Sequence, residues 1–291
     1  QNIPAAWTDF KDDLQKMKAA VADHTTDVLS FLKENGIDVE WIQIGNETTT
    51  GMLWPLGLAS DNNFGNYAAL NNAGYDAAKA VYPEAQCIVH IDQGNVLGRF
   101  TWMFDGLKAA GAKWDVIGMS LYPEDDNWQT VTDDCLANIT TLAARYNTKV
   151  MVCEIGMAWD SENAAAMMQK MVEGGLIGTI IVKDLSRFGR EQVEMGRLTQ
   201  IVYPSLGVTF ISIQENVNTA AKTGLEMMPF YNIFNEWYAE QTSKKIRAVW
   251  KSKAEHGKRV SSTVPYGYKK SPEDREKWIV DEPAAEVVRR I

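Results

Sequence analysis

Two hydrophobic rhythms alternate along the first half of the chain. Apolar residues recur at helical spacing over 5–19 and 24–35, and Gly36 is placed to end the second helix. A short apolar strand is predicted at 38–45, followed by the turn-rich loop TTTGMLWPLG at 48–57. The pattern then predicts a helix over 63–81, a strand over 86–92, a helix over 97–110 and a strand over 115–121. It continues with a helix over 130–146 and a strand over 149–155. Strands and crossover-length helices in strict alternation predict an α/β chain with a parallel sheet.

From about residue 170 the rhythm changes. GTIIVKDLSRFGREQVEMG (178–196) reads as a β-branched strand, a basic turn and a helix, and GVTFISI (207–213) as a further strand. Pro229 opens a candidate helix that runs to Glu255 and is stopped by Gly257. Phe230, Ile233, Phe234 and Trp237, then Ile246, Val249 and Trp250, share one face. At ~1.5 Å per residue the helix would span ~40 Å. Its second half carries Lys244, Lys245, Arg247, Lys251 and Lys253, which suits phosphate contact and equally suits an ordinary solvated face.

Charge divides the chain at the same place. Of 291 residues, 1–170 carry 11 Lys and Arg against 23 Asp and Glu, whereas 244–270 carry nine basic residues against Glu255 alone. An acidic front and a locally basic back suggest two parts with different partners. Cys87, Cys135 and Cys153 have no CxxC spacing, and His24, His90 and His256 are too few for a histidine metal centre, so neither metal nor cofactor is expected. No apolar run approaches the ~18–20 residues of a membrane span, and no charged-then-apolar leader is seen at the N-terminus.

Candidate chemistry collects at the strand ends. Asn46-Glu47, His90 with Asp92, Ser120 with Tyr122, and Glu154 each follow a predicted strand. In parallel barrels the loops at that end converge on one mouth. Two carboxylates facing each other across it are what glycosidic cleavage needs, one donating a proton and the other attacking or activating water. Trp54, Tyr122, Trp128 and Trp159 offer flat faces for sugar rings, although core packing explains any one of them about as well.

WIQIGNE, GMLWPLG, HID, DVIGMSLYP and VCEIGMAWD, in this order, resemble the endo-β-1,4-galactanases of glycoside hydrolase family 53 over roughly residues 1–165. The resemblance implies a (β/α)8 barrel of which strands 4–7 are represented. Glu47 would be the acid/base at the end of barrel strand 4, and Glu154 the nucleophile at the end of strand 7, in a retaining mechanism. Asn46 would hydrogen-bond the sugar 2-hydroxyl or the nucleophile. Trp54, His90, Asp92, Tyr122 and Trp159 would bind β-1,4-galactan or arabinogalactan, with no cofactor. Barrel strands 1–3 and 8 have no counterpart in this sequence.

The back part resembles the transposon-type serine recombinases of the resolvase/invertase family, through IIVKDLSRFGRE, YPSLGVTFISIQENV, FNEWYAEQTSKKIRAVWKSKAEHGK and VPYGYKK with WIVDEPAAEVVRRI. The resemblance implies that Arg187 and Arg190 hold a scissile phosphate, and that the helix from Pro229 self-associates and leads onto duplex DNA, where Lys244, Lys245 and Arg247 make contact. The segment bearing that family's nucleophilic serine has no counterpart here. The expected domains are a partial barrel (1–168), part of a resolvase-like α/β catalytic domain with its long helix (169–257), and the start of a DNA-binding domain (258–291). Galactanase ancestry implies secretion or the cell envelope, and recombinase ancestry the cytoplasm. Three functions therefore stay open: a galactan-cleaving glycosidase, a DNA-binding recombinase fragment, and an inactive chimeric fusion.

Overall fold

A computed structural model describes residues 3–60, 63–158, 160–185, 196–224, 243–253, 255, 263–273 and 277–291. They fall into two compact units, one of residues 1–178 with 202–208, the other of 179–201 with 209–291.

The first unit opens on a 3-10 turn, Ala5–Phe10, and a single helix α1, Leu14–Glu34. Two helices meeting near residue 20 were expected, and the structure corrects this. Asp13 caps the true start, its Oδ1 accepting from the backbone N of Gln15 and Lys16, both at 3.1 Å. The polar His24-Thr25-Thr26 run does not break the helix, because Thr25 Oγ1 donates to Val21 O at 2.8 Å and stays within the helical frame. Gly36, at φ +73°, ends the helix as expected, while Ile37 N returns to Leu32 O at 3.0 Å.

Strand β1 (Trp41–Gln43) is followed by a small antiparallel hairpin, β2 (Gly51–Met52) with β3 (Gly57–Leu58), which the sequence pattern did not predict. Then come α2 (Gly65–Val81), β4 (Gln86–Ile91), α3 (Leu97–Ala109), β5 (Val116–Leu121), α4 (Trp128–Tyr146) and β6 (Lys149–Ile155). Helix α5 (Ala164–Glu173) closes the series and was also not anticipated. The sheet order is β1-β4-β5-β6, every pair parallel, each strand beside the next one of the alternation. That is the neighbour order of a barrel segment, since one crossover helix carries the chain one strand sideways.

Strand alternation assigns the two faces. Val89, Ile91, Ile117, Met119 and Leu121 point to the helices and share a core with Phe100, Met103, Phe104, Leu107 and Leu142. Each such fully buried side chain contributes about 1.5–3 kcal/mol relative to exposure. Ile42 and Ile44 of the β1 segment pack instead with Leu29, Ala78 and Tyr82. The opposite face carries Trp41, Gln43, Ile88, His90, Gly118 and Ser120. A Cβ added at Gly118 would come within 2.7 Å of both Cys153 Sγ and Ile88 Cγ2, so that face is closely filled at mid-sheet.

The β5–β6 ladder contains an irregularity. Met119 pairs with Val152, but Ser120 pairs with Glu154, skipping Cys153. Val152 and Ile155 pack towards the helices, whereas Cys153 and Glu154, consecutive in sequence, both lie on the opposite side. A β-bulge is the device that lets neighbouring residues share a face.

In the second unit, β7 (Thr179–Val182) pairs parallel with β8 (Thr209–Ser212), which pairs antiparallel with β9 (Val217–Asn218). The Glu215 carboxylate receives the Ser212 hydroxyl and, at 3.2 Å, the backbone N of Leu185. Residues 243–253 are helical. A hairpin of β10 (Tyr268–Lys270) and β11 (Trp278–Val280) precedes a helix over Glu282–Arg290. Pro229 and the first half of the expected long helix lie outside the described residues, as do Trp159, Arg187 and Arg190.

Candidate active site

The polar groups expected at the strand ends do lie at the C-terminal ends of β1, β4, β5 and β6, on adjacent strands of one parallel sheet. The exit from β1 is a tight turn. Gly45 has φ +84° and Glu47 φ +43°, the latter a conformation that costs a non-glycine residue about 1–3 kcal/mol. A Cβ at Gly45 would lie 2.7 Å from Thr48 Cγ2, so glycine is needed there on steric grounds as well.

The turn is held by hydrogen bonds to β4 and α2. Thr48 N donates to His90 O at 2.7 Å, and Thr48 Oγ1 donates to the same carbonyl at 3.1 Å. The Thr48 hydroxyl also meets Tyr67 OH at 2.6 Å, and both side chains are fully buried. Having spent its single proton on His90 O, Thr48 accepts from Tyr67. Burial raises the Tyr67 phenol far above its usual range, so it stays a donor throughout. Gln43 Nε2 donates to Asn46 Oδ1 at 3.0 Å, which orients the amide next to Glu47.

On β4, His90 is completely buried, its Nε2 2.7 Å from Ser120 Oγ of β5. Its expected place in the substrate groove is therefore inside the wall rather than on its surface. Asp92, half-buried at the end of the same strand, accepts from Thr49 Oγ1 at 2.7 Å and pairs with Arg99 Nη1 of α3 at 2.5 Å. On the neighbouring strands, Tyr122 OH after β5 donates to Glu154 Oε2 of β6. Burial, followed by the adjacent Glu154 carboxylate, pushes the Tyr122 phenol up to about 12, so this hydroxyl keeps its proton as well. The Tyr122 ring is 59% exposed, and its edge would lie 3.6 Å from a Cβ at Gly156. Trp54 is 40% exposed, its indole N–H anchored to Thr50 O at 3.1 Å, beyond the cis Trp54–Pro55 peptide.

The two glutamates are electrostatic neighbours of the same groups. Both Glu47 and Glu154 raise the affinity of His90 for a proton, and both raise that of the Tyr122 hydroxyl. For His90 burial is the larger influence, and it holds the imidazole below its ordinary range. Among the described residues no group of three or more His, Cys, Asp or Glu is placed to hold a metal ion, and no helix is long and apolar enough to cross a membrane.

Sequence reasoning missed Thr48, Thr49, Tyr67 and Arg99, which fix the site without being part of the motif that marks it. Their signal is weak, since a threonine in a turn and a tyrosine in a helix have many ordinary uses. In the second unit, Lys244, Lys245 and Arg247 stand on the exposed 243–253 helix.

Parallel strands joined one to the next by crossover helices, with polar groups at their C-terminal ends, are the arrangement of a (β/α)-barrel segment. The comparison with known proteins makes the assignment specific. The family model of glycosyl hydrolase family 53 matches residues 1–187, and the chain belongs to that family. A second model, the resolvase N-terminal domain, matches residues 128–259, so the chain is a composite of two families. An uncharacterized protein from the bgaB 5' region of Niallia circulans is 34% identical over 165 residues, covering 55% of this chain and 44% of that protein. A probable arabinogalactan endo-beta-1,4-galactanase A of Aspergillus terreus is 32% identical over 163 residues, covering 53% and 44%. The solved GH53 catalytic domain of Ignisphaera aggregans superposes with a TM-score of 0.52 at 27% identity, over 60% of this chain and 53% of that one. The chain thus spans less than half the length of these curated relatives.

Proposed function

We propose that residues 1–168 carry the chemistry of a retaining endo-β-1,4-galactanase, with Glu47 as acid/base and Glu154 as nucleophile. The observations that support this are that Glu47 and Glu154 follow or end strands of one parallel sheet and that both act electrostatically on Tyr122 and His90. In the first step Glu154 attacks the anomeric carbon. The glycosidic bond breaks with its electron pair going to the leaving oxygen, which takes the proton of Glu47. In the second step a water molecule gives a proton to Glu47 and attacks the same carbon, releasing Glu154 with inverted and so overall retained configuration. Tyr122 orients the Glu154 carboxylate through its hydroxyl. Asn46, whose Oδ1 accepts from Gln43 Nε2, is assigned to the sugar 2-hydroxyl or the nucleophile. Trp54 and Tyr122 offer exposed rings for stacking on galactose units of galactan or arabinogalactan, Asp92 lines the mouth, and Trp159 is assigned by family resemblance alone.

Release of galacto-oligosaccharides from β-1,4-galactan tests the reading. Glu154→Gln abolishes it. Glu47→Gln abolishes cleavage of galactan but keeps the first step on an aryl galactoside with an activated leaving group, which gives a burst of phenol followed by slow turnover that added azide restores. Folded wild-type protein without turnover on either substrate would leave an inactive fusion as the better description.

A second reading applies to the remainder, residues 169–257 and 258–291, because the resolvase model reaches from residue 128 to 259 and the 243–253 helix exposes Lys244, Lys245 and Arg247. Duplex DNA is the partner this implies, with Arg187 and Arg190 as phosphate ligands and self-association through the helix from Pro229. Salt-dependent binding to a DNA duplex, measured by fluorescence anisotropy, tests it.

A further inference from the structure

Glu47 sits in a left-handed turn, and the group that receives its backbone N–H belongs to another strand. His90 Nδ1 lies 3.5 Å from Glu47 N, and His90 Nε2 lies 2.7 Å from Ser120 Oγ. A peptide N–H can only donate, so Nδ1 presents its lone pair. The ring proton then sits on Nε2 and is donated to the serine hydroxyl. The main-chain carbonyl of His90 meanwhile takes the N–H and the hydroxyl of Thr48. One residue of β4 therefore grips two consecutive residues of the turn, Glu47 with its side chain and Thr48 with its backbone.

We propose that His90 is a positioning residue which, as a neutral imidazole with a bare Nδ1, locks the left-handed turn at Glu47 and so aims its carboxylate. The proposal rests on the acid/base role given to Glu47 above. A protonated ring would set a donor against a donor at Nδ1 and release the turn. The groups facing the ring are Glu47 and Thr48 from the β1 exit, Ser120 from β5, Glu154 from β6, and Asp92 on its own strand. The three carboxylates favour the imidazolium and burial opposes it. Burial is the larger influence, in keeping with the buried, hydrogen-bonded ring.

The test is a histidine 15N NMR titration of the full chain, in which only His24, His90 and His256 contribute. The expected spectrum shows an unprotonated Nδ1 and a protonated Nε2 for His90, unchanged from about pH 8 down to about pH 7. An Nδ1-protonated tautomer, or an imidazolium in that range, overturns the proposal. His90→Asn sets an amide oxygen near the Nδ1 position and keeps the acceptor, whereas His90→Gln sets it near Nε2. The Glu47 amide proton shift should therefore be kept in the first and lost in the second, and equal shifts in both would also overturn it. Where galactan is turned over, kcat should fall at least tenfold in His90→Gln with KM unchanged, and recover in His90→Asn. A wild-type chain without turnover would sink the galactanase reading alone, because the tautomer is read without activity. Should neither variant fold, the wild-type titration still decides the matter.

Discussion

Removing one oxygen atom, in Tyr67→Phe, tests how the site turn is held. Tyr67 is fully buried in α2, and its hydroxyl meets Thr48 Oγ1 at 2.6 Å. The aromatic ring stays in place, so apolar packing in the core is almost unchanged. What goes is one buried hydrogen bond, and the fully buried Thr48 hydroxyl it served loses its donor. A typical net loss is about 0.5–1.5 kcal/mol, and an acceptor left unpaired moves the expectation to about 1–2 kcal/mol. Thr48 keeps its own donation to the His90 carbonyl, which caps the loss at that level. For a unit of this size about 1 kcal/mol lowers Tm by about 2–4 °C. Chemical denaturation of wild type, Tyr67→Phe, Thr48→Val and the double variant would measure it. The two changes remove the same bond, so the cycle should show a coupling of about 1 kcal/mol. Strictly additive effects, or a Tyr67→Phe loss below about 0.3 kcal/mol, would refute the hydrogen-bond account of the turn.

Other consequences are as direct. Gly118→Ala forces a methyl to within 2.7 Å of Cys153 Sγ and Ile88 Cγ2 and 3.2 Å of the His90 Cα backbone atom, and should cost about 1–3 kcal/mol in thermal or denaturant unfolding. Because His90 titrates below its ordinary value of 6.5, its contribution to stability is complete above that pH. As pH falls the unfolded chain binds the proton first, so stability drops until the folded-state value is passed, and His90→Asn should flatten that slope. Tyr122→Phe leaves Glu154 without its hydroxyl partner at an exposed position, and should lower kcat/KM on galactan by tenfold or less. Replacing Lys244, Lys245 and Arg247 by Ala should reduce the salt dependence of DNA binding, the slope falling by about 1 for each phosphate no longer neutralised.

The parallel sheet was legible because its strands alternate with long helices, and the strand ends that carry Glu47 and Glu154 were legible from the polar residues placed there. Position near the end of a strand marked His90 as a groove residue. It could not give depth, and burial against Ser120 depends on β5, which is distant in sequence. The continuous α1 was missed because helical spacing was read separately over 5–19 and 24–35, while the cap that sets the helix start is Asp13, inside the first of those stretches. The hairpin around Trp54 escaped because strands of two residues carry no period. Helix α5, a run of helix formers in the Ala- and Met-rich stretch after Asn163, lies where the two family resemblances change over, and neither resemblance assigns it.

The bulge at Cys153 shifts the phase of β6 by one residue, and this separates two duties along a single strand. Below it, Val150 and Val152 answer to the packing of the helices, and above it Glu154 answers to the mouth. Were the ladder regular, Cys153 would take the place opposite Ser120, and Glu154 would fall opposite Leu121, turned into the helix-facing core. A carboxylate there would be buried among apolar side chains and lost to the site. The interruption in the ladder, rather than its regularity, is what delivers the proposed nucleophile.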